Sequence, residues 1–291
     1  MANTLWIHVG LPKTSTTSYQ SWMRSNTALL EKSGLHYPDQ FGAGNDKHNF
    51  LVGNLRHNAN LPILEGILSK ANSTQLLLSD EGLTNHLDDF RPEALERFRD
   101  LTQNWAVKVI LVTRESGNWT RSYHKQCVLN PNNGASPLWG TSLTCDEISA
   151  HPRIKRLVSH ASLAKDLKTA FGAESVNQFN YENPKWFLSS LNLMGVKLNE
   201  TVTLPRSNQS LPDWSIELLR KINGHTNQTD IRNQWKMALQ NFLGSDHTIL
   251  TNLGNSKQRV DEDIFDYLTS IQDEFLSEHI DNIKKFLTSL T

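Results

Sequence analysis

Apolar runs that alternate with amphipathic stretches predict an α/β protein with a mainly parallel central sheet. The runs Leu5–Val9, Leu76–Leu78 and Ala106–Thr113 are almost continuously apolar, which is typical of strands buried on both faces. An amphipathic helix, Pro92–Gln103, separates the last two, and this order favours βαβ units with helices on both faces of the sheet, a three-layer sandwich. Further predicted elements are an edge segment Leu35–Tyr37, helices at Leu61–Lys70, from about Ser116, at Leu157–Phe171 and at Pro212–Asn223, and a strand at Val176–Tyr181.

The 291 residues suit one large α/β domain covering residues 1–291, with a helical part from about residue 212. Two polar segments interrupt the pattern and are predicted as loops. Asp39–Asn60 is either a surface loop or a substrate-lining one, and Asn130–Ser149 either shapes an acceptor pocket or is disordered. An apolar stripe between Ile264 and Leu290 predicts a last helix or helix pair packed on the domain.

Composition limits the function classes. The 29 basic and 30 acidic residues argue against a broad nucleic-acid surface, so any anion site must be local. No apolar run approaches the ~20 residues of a membrane span. The two cysteines, Cys127 and Cys145, and the missing leader before Leu5 suit a reducing compartment. We therefore expect a cytoplasmic protein without a membrane span, a monomer or a homodimer.

The first strand runs into a turn of small residues that carries one lysine. Gly10 ends the strand, and a helix opens at Thr14 to Thr17. The first amides of a helix have no intrahelical partner and carry roughly half a positive charge, so they favour a phosphate or a sulfonate. Lys13 adds a full charge and the hydroxyls add donors. The candidate anion-binding residues are Pro12, Lys13, Thr14, Ser15, Thr16 and Thr17.

This turn is not the nucleotide-triphosphate loop, which needs Gly, four residues and then Gly-Lys-Ser/Thr. Lys13 follows Gly10 by three residues, and Pro12 precedes the lysine. The run Pro-Lys-Thr-Ser-Thr-Thr instead resembles the 5′-phosphosulfate loop of sulfotransferases that use 3′-phosphoadenosine 5′-phosphosulfate (PAPS). A P-loop-like sulfotransferase fold is what this resemblance implies.

A second segment resembles the 3′-phosphate site of the same family. Arg114 ends the clearest strand, where a nucleoside triphosphatase would usually place a metal-holding aspartate, and Ser122 follows eight residues later. A guanidinium binds phosphate with a rigid fork of donors. Glu115-Ser116 departs from the Asp-Pro that the family often has there. Tyr181-Glu182-Asn183 resembles a strand end that we interpret as structural, and the segment before the Pro212 helix adds the nucleotide-site candidates Arg206, Asn208 and Ser210.

The resemblance implies transfer of a sulfuryl group from PAPS to a hydroxyl, on a saccharide or a glycolipid, with 3′,5′-adenosine bisphosphate as product and no metal. Lys13 would neutralise charge on the bridging oxygen while the sulfuryl group leaves. The acceptor hydroxyl needs a base. Glu81, at the end of a strand beside the first loop, is the predicted base, with Asp80 and His48 as alternatives.

Two other functions remain open. A kinase-like phosphotransferase would use the acidic strand end at Leu76–Glu81 to bind Mg²⁺ with ATP, although Gly-Lys-Ser/Thr is missing. A binding module would hold a nucleotide without turnover. The histidines are scattered without metal-ligand spacing, which predicts no metal site.

Overall fold

The chain divides into two compact units. Their boundaries fall inside the helix that follows Arg114 and in the segments near residues 149 and 208. The prediction of a single domain stays a prediction, and each unit is described separately below. The computed structural model describes residues 3–39, 46–58, 60–71, 73–134, 136–198, 202, 204, 211–226, 232–233, 235–237, 239 and 285–286. The first unit comprises Met1–Trp119 and Ala150–Asn208, and the second comprises Thr120–Ser149 and Gln209–Thr291.

The first unit contains a five-stranded sheet in which every neighbouring pair of strands is parallel, so the predicted α/β class is confirmed. The strand order is β2-β3-β1-β4-β5, which puts the first strand of the chain in the centre. The strands are β1 Asn3–His8, β2 Leu35–His36, β3 Gln75–Ser79, β4 Trp105–Thr113 and β5 Ser175–Asn180.

Helices connect the strands and cover both faces of the sheet. The predicted helices at residues 61–70 and 92–103 are confirmed, and both ends agree to within two residues. The helix predicted from about residue 116 is also confirmed and begins there. The helices are α1 Thr16–Ser25, α2 Thr27–Lys32, α3 Asn49–His57, α4 Pro62–Ser69, α5 Gly82–Asn85, α6 Pro92–Thr102, α7 Ser116–Leu129, α8 Cys145–Ala150, α9 Pro152–Val158, α10 His160–Phe171, α11 Trp186–Leu193 and α12 Asp213–His225.

The side chains of β1 alternate between the two buried faces, because successive residues of a strand point in opposite directions. Trp6 belongs to a cluster with Tyr19 and Met23 of α1 and with Trp186 and Phe187 of α11. Leu5 and Ile7 point to the other face and are completely buried. A strand buried on both sides explains why this segment is apolar throughout.

The order in which strands are added to the sheet reverses at β1, while all strands stay parallel. After β1 the chain moves towards the β2 edge, whereas after β3 and β4 it moves towards the β5 edge. In open parallel sheets, ligands bind outside the carboxyl ends of the strands at such a reversal. The residues that follow β1, β3 and β4 are therefore the place to look for a site.

The second unit is held together by buried polar contacts around α12. The Asn223 side-chain amide donates to the carbonyls of Val128 and Thr141, at 3.0 and 3.1 Å. The Arg232 guanidinium donates to the carbonyl of Asn223, at 2.6 Å, and to that of Thr226, at 2.7 Å. α12, Asp213–His225, confirms the helix predicted at Pro212–Asn223.

Two loop predictions were wrong, and one helix begins later than predicted. α3 occupies residues 49–57 of the segment predicted as a loop, and α8 begins inside the second predicted loop. The helix predicted over Leu157–Phe171 is confirmed as α10, which ends at Phe171 as predicted but begins at His160, because Ser159 separates it from α9. Tertiary packing explains α3, since two of its apolar residues, Leu51 and Leu55, are fully buried.

Two further expectations concern membranes and thiols. Among the described residues, no helix is long and apolar enough to cross a bilayer. Cys127 is buried, Cys145 is half-buried, and both are free thiols. The predicted C-terminal apolar stripe lies outside the described residues apart from Phe286.

Candidate functional site

The loop between β1 and α1 has a constrained backbone. Lys13 and Ser15 both have positive φ angles, 67° and 59°, and in the described part of the chain they are the only residues besides glycine that do. Ser15 is the residue that precedes the first turn of α1. A left-handed conformation costs a residue with a Cβ about 1 kcal/mol or more, and such strain concentrates at functional sites. Alternating backbone conformations of this kind turn successive amides toward one point, which suits an anion.

Hydrogen bonds hold the loop in this shape. Thr14 is completely buried, and its hydroxyl donates to the Leu11 carbonyl at 2.6 Å. The Leu11 amide donates to the carbonyl of Val112 on β4 at 2.9 Å. The indole nitrogen of Trp119 donates to the Pro12 carbonyl at 2.7 Å. These contacts involve Thr14 and the backbone of Leu11 and Pro12. Lys13 is half-buried, and Thr17 at the start of α1 is exposed.

Gly10 is needed for close packing under the loop. A Cβ at this position would lie 3.0 Å from Thr16 Cγ2, 3.1 Å from Thr14 Oγ1 and 3.2 Å from His8 Nε2. We expect Gly10→Ala to lower the free energy of unfolding by about 1–3 kcal/mol through overpacking. Gly66→Ala is the matched control, because nothing lies within 4 Å of a Cβ there. It should raise the stability by about 0.5–1 kcal/mol, and equal effects of the two substitutions in urea unfolding would contradict this account.

Two carboxylates follow β3, the neighbour of β1. Glu81 accepts from Lys47 Nζ at 3.2 Å and from Gln20 Nε2 at 3.1 Å. Asp80 accepts from the Gly82 amide at 2.7 Å, while its other oxygen, Oδ2, is buried without a hydrogen-bond partner in the described structure. The side chain of Glu81 is 22% exposed and that of Asp80 is 2% exposed. Only Glu81 is therefore open to an incoming hydroxyl.

The surroundings give the two carboxyls opposite pKa shifts. Burial and the neighbouring Glu81 charge raise the pKa of Asp80. Burial alone would also raise the pKa of Glu81, but the Lys47 ammonium and the hydrogen bond from Gln20 lower it below its usual value. Lys47 also lies 3.8 Å from Asp80 Oδ1. Glu81 is thus ionised at neutral pH, as a proton acceptor must be.

His48 has a structural position. Its Nδ1 accepts from the Ser79 amide at 3.0 Å, so the proton of the neutral ring is on Nε2, which donates to the Pro38 carbonyl at 3.2 Å. The ring is 1% exposed, and burial lowers its pKa from 6.5 to about 4. Because both ring nitrogens hold backbone groups, the geometry disfavours His48 as a base and gives it the task of fixing the strand end before Asp80.

This buried histidine should make stability depend on pH. Between pH 6.5 and pH 4, His48 takes up a proton in the unfolded chain but not in the folded protein. The contribution of neutral His48 to the free energy of unfolding is therefore present above pH 6.5 and is lost as the pH falls towards 4. We expect the stability advantage of the unmodified protein over His48→Asn to shrink by about 3 kcal/mol over this range. Asp80 has a raised pKa, so its protonation stabilises the folded protein as the pH falls. This effect is the same in both proteins and cancels in their difference.

Denaturant unfolding at several pH values measures this difference. His57→Asn changes an exposed histidine of α3 and is the control for the substitution itself. A difference between the unmodified protein and His48→Asn that stays constant from pH 7 to pH 4 would contradict the assignment of a neutral, buried ring.

Arg114 follows β4, the other neighbour of β1. Its guanidinium carbon lies 5.3 Å from the centre of the Tyr181 ring, and its Nε is 3.5 Å from Glu182 Oε1. The Ser15 hydroxyl donates to the Tyr181 hydroxyl at 3.4 Å. Tyr181 therefore connects the Lys13 loop with Arg114, and the two predicted anion-binding elements lie on the same edge of the sheet.

The remaining nucleotide-site residues stay predictions. Ser122 is half-buried on α7 and belongs to the second unit, so its partnership with Arg114 stays a prediction. Arg206, Asn208 and Ser210 lie outside the described residues.

Several residues that contact the site were not predicted. Lys47 and Gln20 hold Glu81. His8 is fully buried, stacks on Tyr19 at 4.0 Å between ring centres and contacts the Ser79 hydroxyl at 2.8 Å. Burial lowers the pKa of His8 to about 3, so this ring is neutral. Only Lys47 had a sequence signal, since it lies in the polar segment considered as a substrate-lining loop.

A separate cavity of about 660 Å³ lies along the edge strand β2. Its lining includes Pro38, Ile63, Ile67 and Lys70, and none of the predicted site residues lines it. The group of side chains at the strand ends is identified by its chemistry. No group of three or more potential metal-ligating side chains occurs among the residues that the structure describes.

Comparison of the chain with protein-family models, with curated proteins and with solved structures gives no significant match. The function must therefore be inferred from the residues and their arrangement.

Proposed function

We propose that this protein is a sulfotransferase that moves the sulfuryl group of PAPS to a hydroxyl of an acceptor. One observation carries the proposal. Three adjacent strand ends bear complementary chemistry: the strained Lys13 loop after β1, the carboxylate pair after β3, and Arg114 after β4. An anion cradle between a carboxylate base and an arginine suits an anionic donor and an alcohol acceptor.

In the proposed reaction, a bond forms between the acceptor oxygen and sulfur while the bond from sulfur to the 5′-phosphate oxygen breaks. Glu81 takes the hydroxyl proton, and its low pKa keeps it ionised for this step. Lys13 and the first amides of α1 stabilise the negative charge that grows on the departing phosphate. The second product is 3′,5′-adenosine bisphosphate, and this chemistry requires no metal ion.

The donor nucleotide would bind with its 5′ end at the Lys13 loop and its 3′-phosphate at Arg114. Tyr181 supports this arrangement, because it contacts both Ser15 and the Arg114 guanidinium. Glu182 accepts from the Glu115 amide and lies at an ion-pair distance of 3.5 Å from Arg114 Nε, which has no hydrogen-bond partner in the described structure. The Tyr181 ring and this ion pair keep the guanidinium at the strand end. A guanidinium held in this way loses less side-chain entropy when it binds a phosphate.

The acceptor is proposed to be a saccharide or a glycolipid, and the protein is proposed to act in the cytoplasm. The partly exposed Glu81 carboxylate supports an acceptor that approaches from solvent.

A kinase-like phosphotransferase is the second candidate, and one observation favours it. Asp80 Oδ2 is buried without a hydrogen-bond partner in the described structure. The Asp80 amide donates to the carbonyl of His8, the last residue of β1 before the Lys13 loop. A carboxylate oxygen in such a position could bind Mg²⁺ together with ATP.

Thermal unfolding separates the two candidates. Adenosine 3′,5′-bisphosphate at about 100 times its dissociation constant should stabilise the protein by about 2.7 kcal/mol without metal, which corresponds to a rise in Tm of about 4 °C. ATP with Mg²⁺ should have a much smaller effect. The opposite ranking would contradict the sulfotransferase and support the phosphotransferase.

A further inference from the structure

Three arginines surround the short segment that follows Glu81. Arg56 lies at the end of α3, and Arg153 and Arg156 lie on α9. All three approach the turn Leu87–Asp89, which comes directly after α5. Their side chains are only between 10% and 20% exposed.

The carboxylates of this turn match only two of the three positive charges. Arg153 donates two hydrogen bonds to Asp89, at 2.7 and 3.1 Å, and Arg156 donates one to Asp88 at 2.9 Å. His86 adds no charge, since burial lowers its pKa, and its Nδ1 lies 2.9 Å from Asp89 Oδ2. Among the residues that the structure describes, one guanidinium is therefore left without a carboxylate of its own.

Arg56 is that unmatched guanidinium. Its nearest carboxylate oxygen, Asp89 Oδ2, is 4.0 Å from Nε and is already shared by Arg153 and His86. Within the described residues, Arg56 Nε and Arg156 Nη1 are both buried and lack a hydrogen-bond partner. Buried polar atoms without partners are rare and unfavourable, and they often mark a position that a ligand or an ion fills.

The arginines also lie close to the Lys13 loop. Arg156 Nη2 donates to the Thr84 carbonyl at 3.3 Å, and the Thr84 hydroxyl donates to the Glu81 carbonyl at 2.9 Å and contacts the Gly10 carbonyl at 3.4 Å. Thr84 belongs to α5, a single turn of helix that begins next to Glu81. One residue thus contacts the loop, the segment of the proposed base and the arginine group.

We infer that Arg56, Arg153 and Arg156 form an oxyanion-binding site for a carboxylate or a sulfate ester carried by the acceptor. The acceptor would then be an anionic saccharide rather than a neutral one, a conclusion that rests on the proposed function. Arg153 and Arg156 are held rigidly by Asp89 and Asp88, and Arg56 supplies the excess charge. Planar forks of donors suit both kinds of oxyanion.

Ligand-observed NMR tests the site without requiring catalysis. Glucuronate, glucose 6-sulfate and glucose are the three probes, and they distinguish a carboxylate, a sulfate ester and no charge. The anionic probes should bind and glucose should not. Arg56→Gln should weaken binding of the anionic probes about tenfold or more, because a charge-assisted hydrogen bond is lost.

Two variants keep the test specific. Arg56→Lys keeps the charge but not the fork and should weaken binding less than Arg56→Gln does. Arg97→Gln is the matched control, since Arg97 is an exposed arginine paired with Glu65 at 3.4 Å, and it should leave binding unchanged. Equal binding by Arg56→Gln and the unmodified protein, or no binding of either anionic probe, would overturn the site.

A parallel titration with adenosine 3′,5′-bisphosphate separates failure of this inference from failure of the proposed function. Stabilisation by the nucleotide without binding of the anionic sugars overturns the arginine site alone. If the nucleotide does not stabilise the unmodified protein, the sulfotransferase assignment fails, whatever the sugars do.

Discussion

Replacing Lys13 by methionine should lower the turnover number for sulfuryl transfer by about 10²–10³-fold, the usual effect of removing one preorganised charge-stabilising group. Methionine has a similar length and no charge, and it leaves the backbone strain of a side chain at a φ of 67° in place. The loss should therefore come from charge that is no longer stabilised while the sulfuryl group departs. Steady-state kinetics with PAPS measures it.

Binding and turnover should respond differently to this change. The first amides of α1 remain available, so we expect adenosine 3′,5′-bisphosphate still to raise the Tm of Lys13→Met, though less than that of the unmodified protein. Lys32→Met, at an exposed position of α2, is the matched control and should keep full turnover. If Lys13→Met also kept full turnover, the lysine would have no part in the reaction.

Replacing Glu81 by glutamine should lower turnover by about 10²–10⁴-fold, because the acceptor hydroxyl loses its general base. Glutamine keeps the size of the side chain, and its oxygen can still accept from Gln20 or Lys47. The dissociation constant of the nucleotide should change little. Measuring turnover and nucleotide affinity on the same preparation separates a lost base from a disrupted loop.

Asp80→Asn is the variant that decides between the two neighbouring carboxylates. An asparagine oxygen can still accept from the Gly82 amide, and the side chain at this position is nearly inaccessible. We expect a loss of less than tenfold. A larger loss for Asp80→Asn than for Glu81→Gln would move the role of base to Asp80, whose raised pKa would then match that role.

The central part of the fold could be predicted from the sequence because parallel strands buried on both faces are apolar throughout. β1, β3 and β4 were recognised on that basis, and their adjacent carboxyl ends brought the Lys13 loop, Asp80 with Glu81, and Arg114 to one edge. Local chemistry also identified the loop, since a lysine among small hydroxyl residues before a helix is typical of an anion site.

Contacts between distant segments could not be predicted. Lys47 reaches Glu81 from a segment 34 residues away, and Tyr181 reaches Ser15 from 166 residues away. The sequence predicts only a structural role for Tyr181 and Glu182, which follow β5, and their geometry adds contacts with Arg114. No periodicity carries such information, because it depends on which strands become neighbours.

The polar segment before β3 shows a different limit. Asn, His and Gly suggested a loop, yet α3 forms there and presents Leu51 and Leu55 to the core. Weak helix propensity was overridden by burial of two residues. The same segment supplies Lys47, His48 and Arg56, so its structure determines both the support of Glu81 and the arginine group.

The central claim is that the Lys13 loop holds the 5′-phosphate end of a bisphosphorylated adenosine nucleotide. A crystal structure of the protein with adenosine 3′,5′-bisphosphate tests it most directly. The account predicts the 5′-phosphate within hydrogen-bond distance of Lys13 Nζ and of the first amides of α1, and the 3′-phosphate at Arg114. A nucleotide bound away from this loop, with Lys13 in contact with neither phosphate, would contradict it.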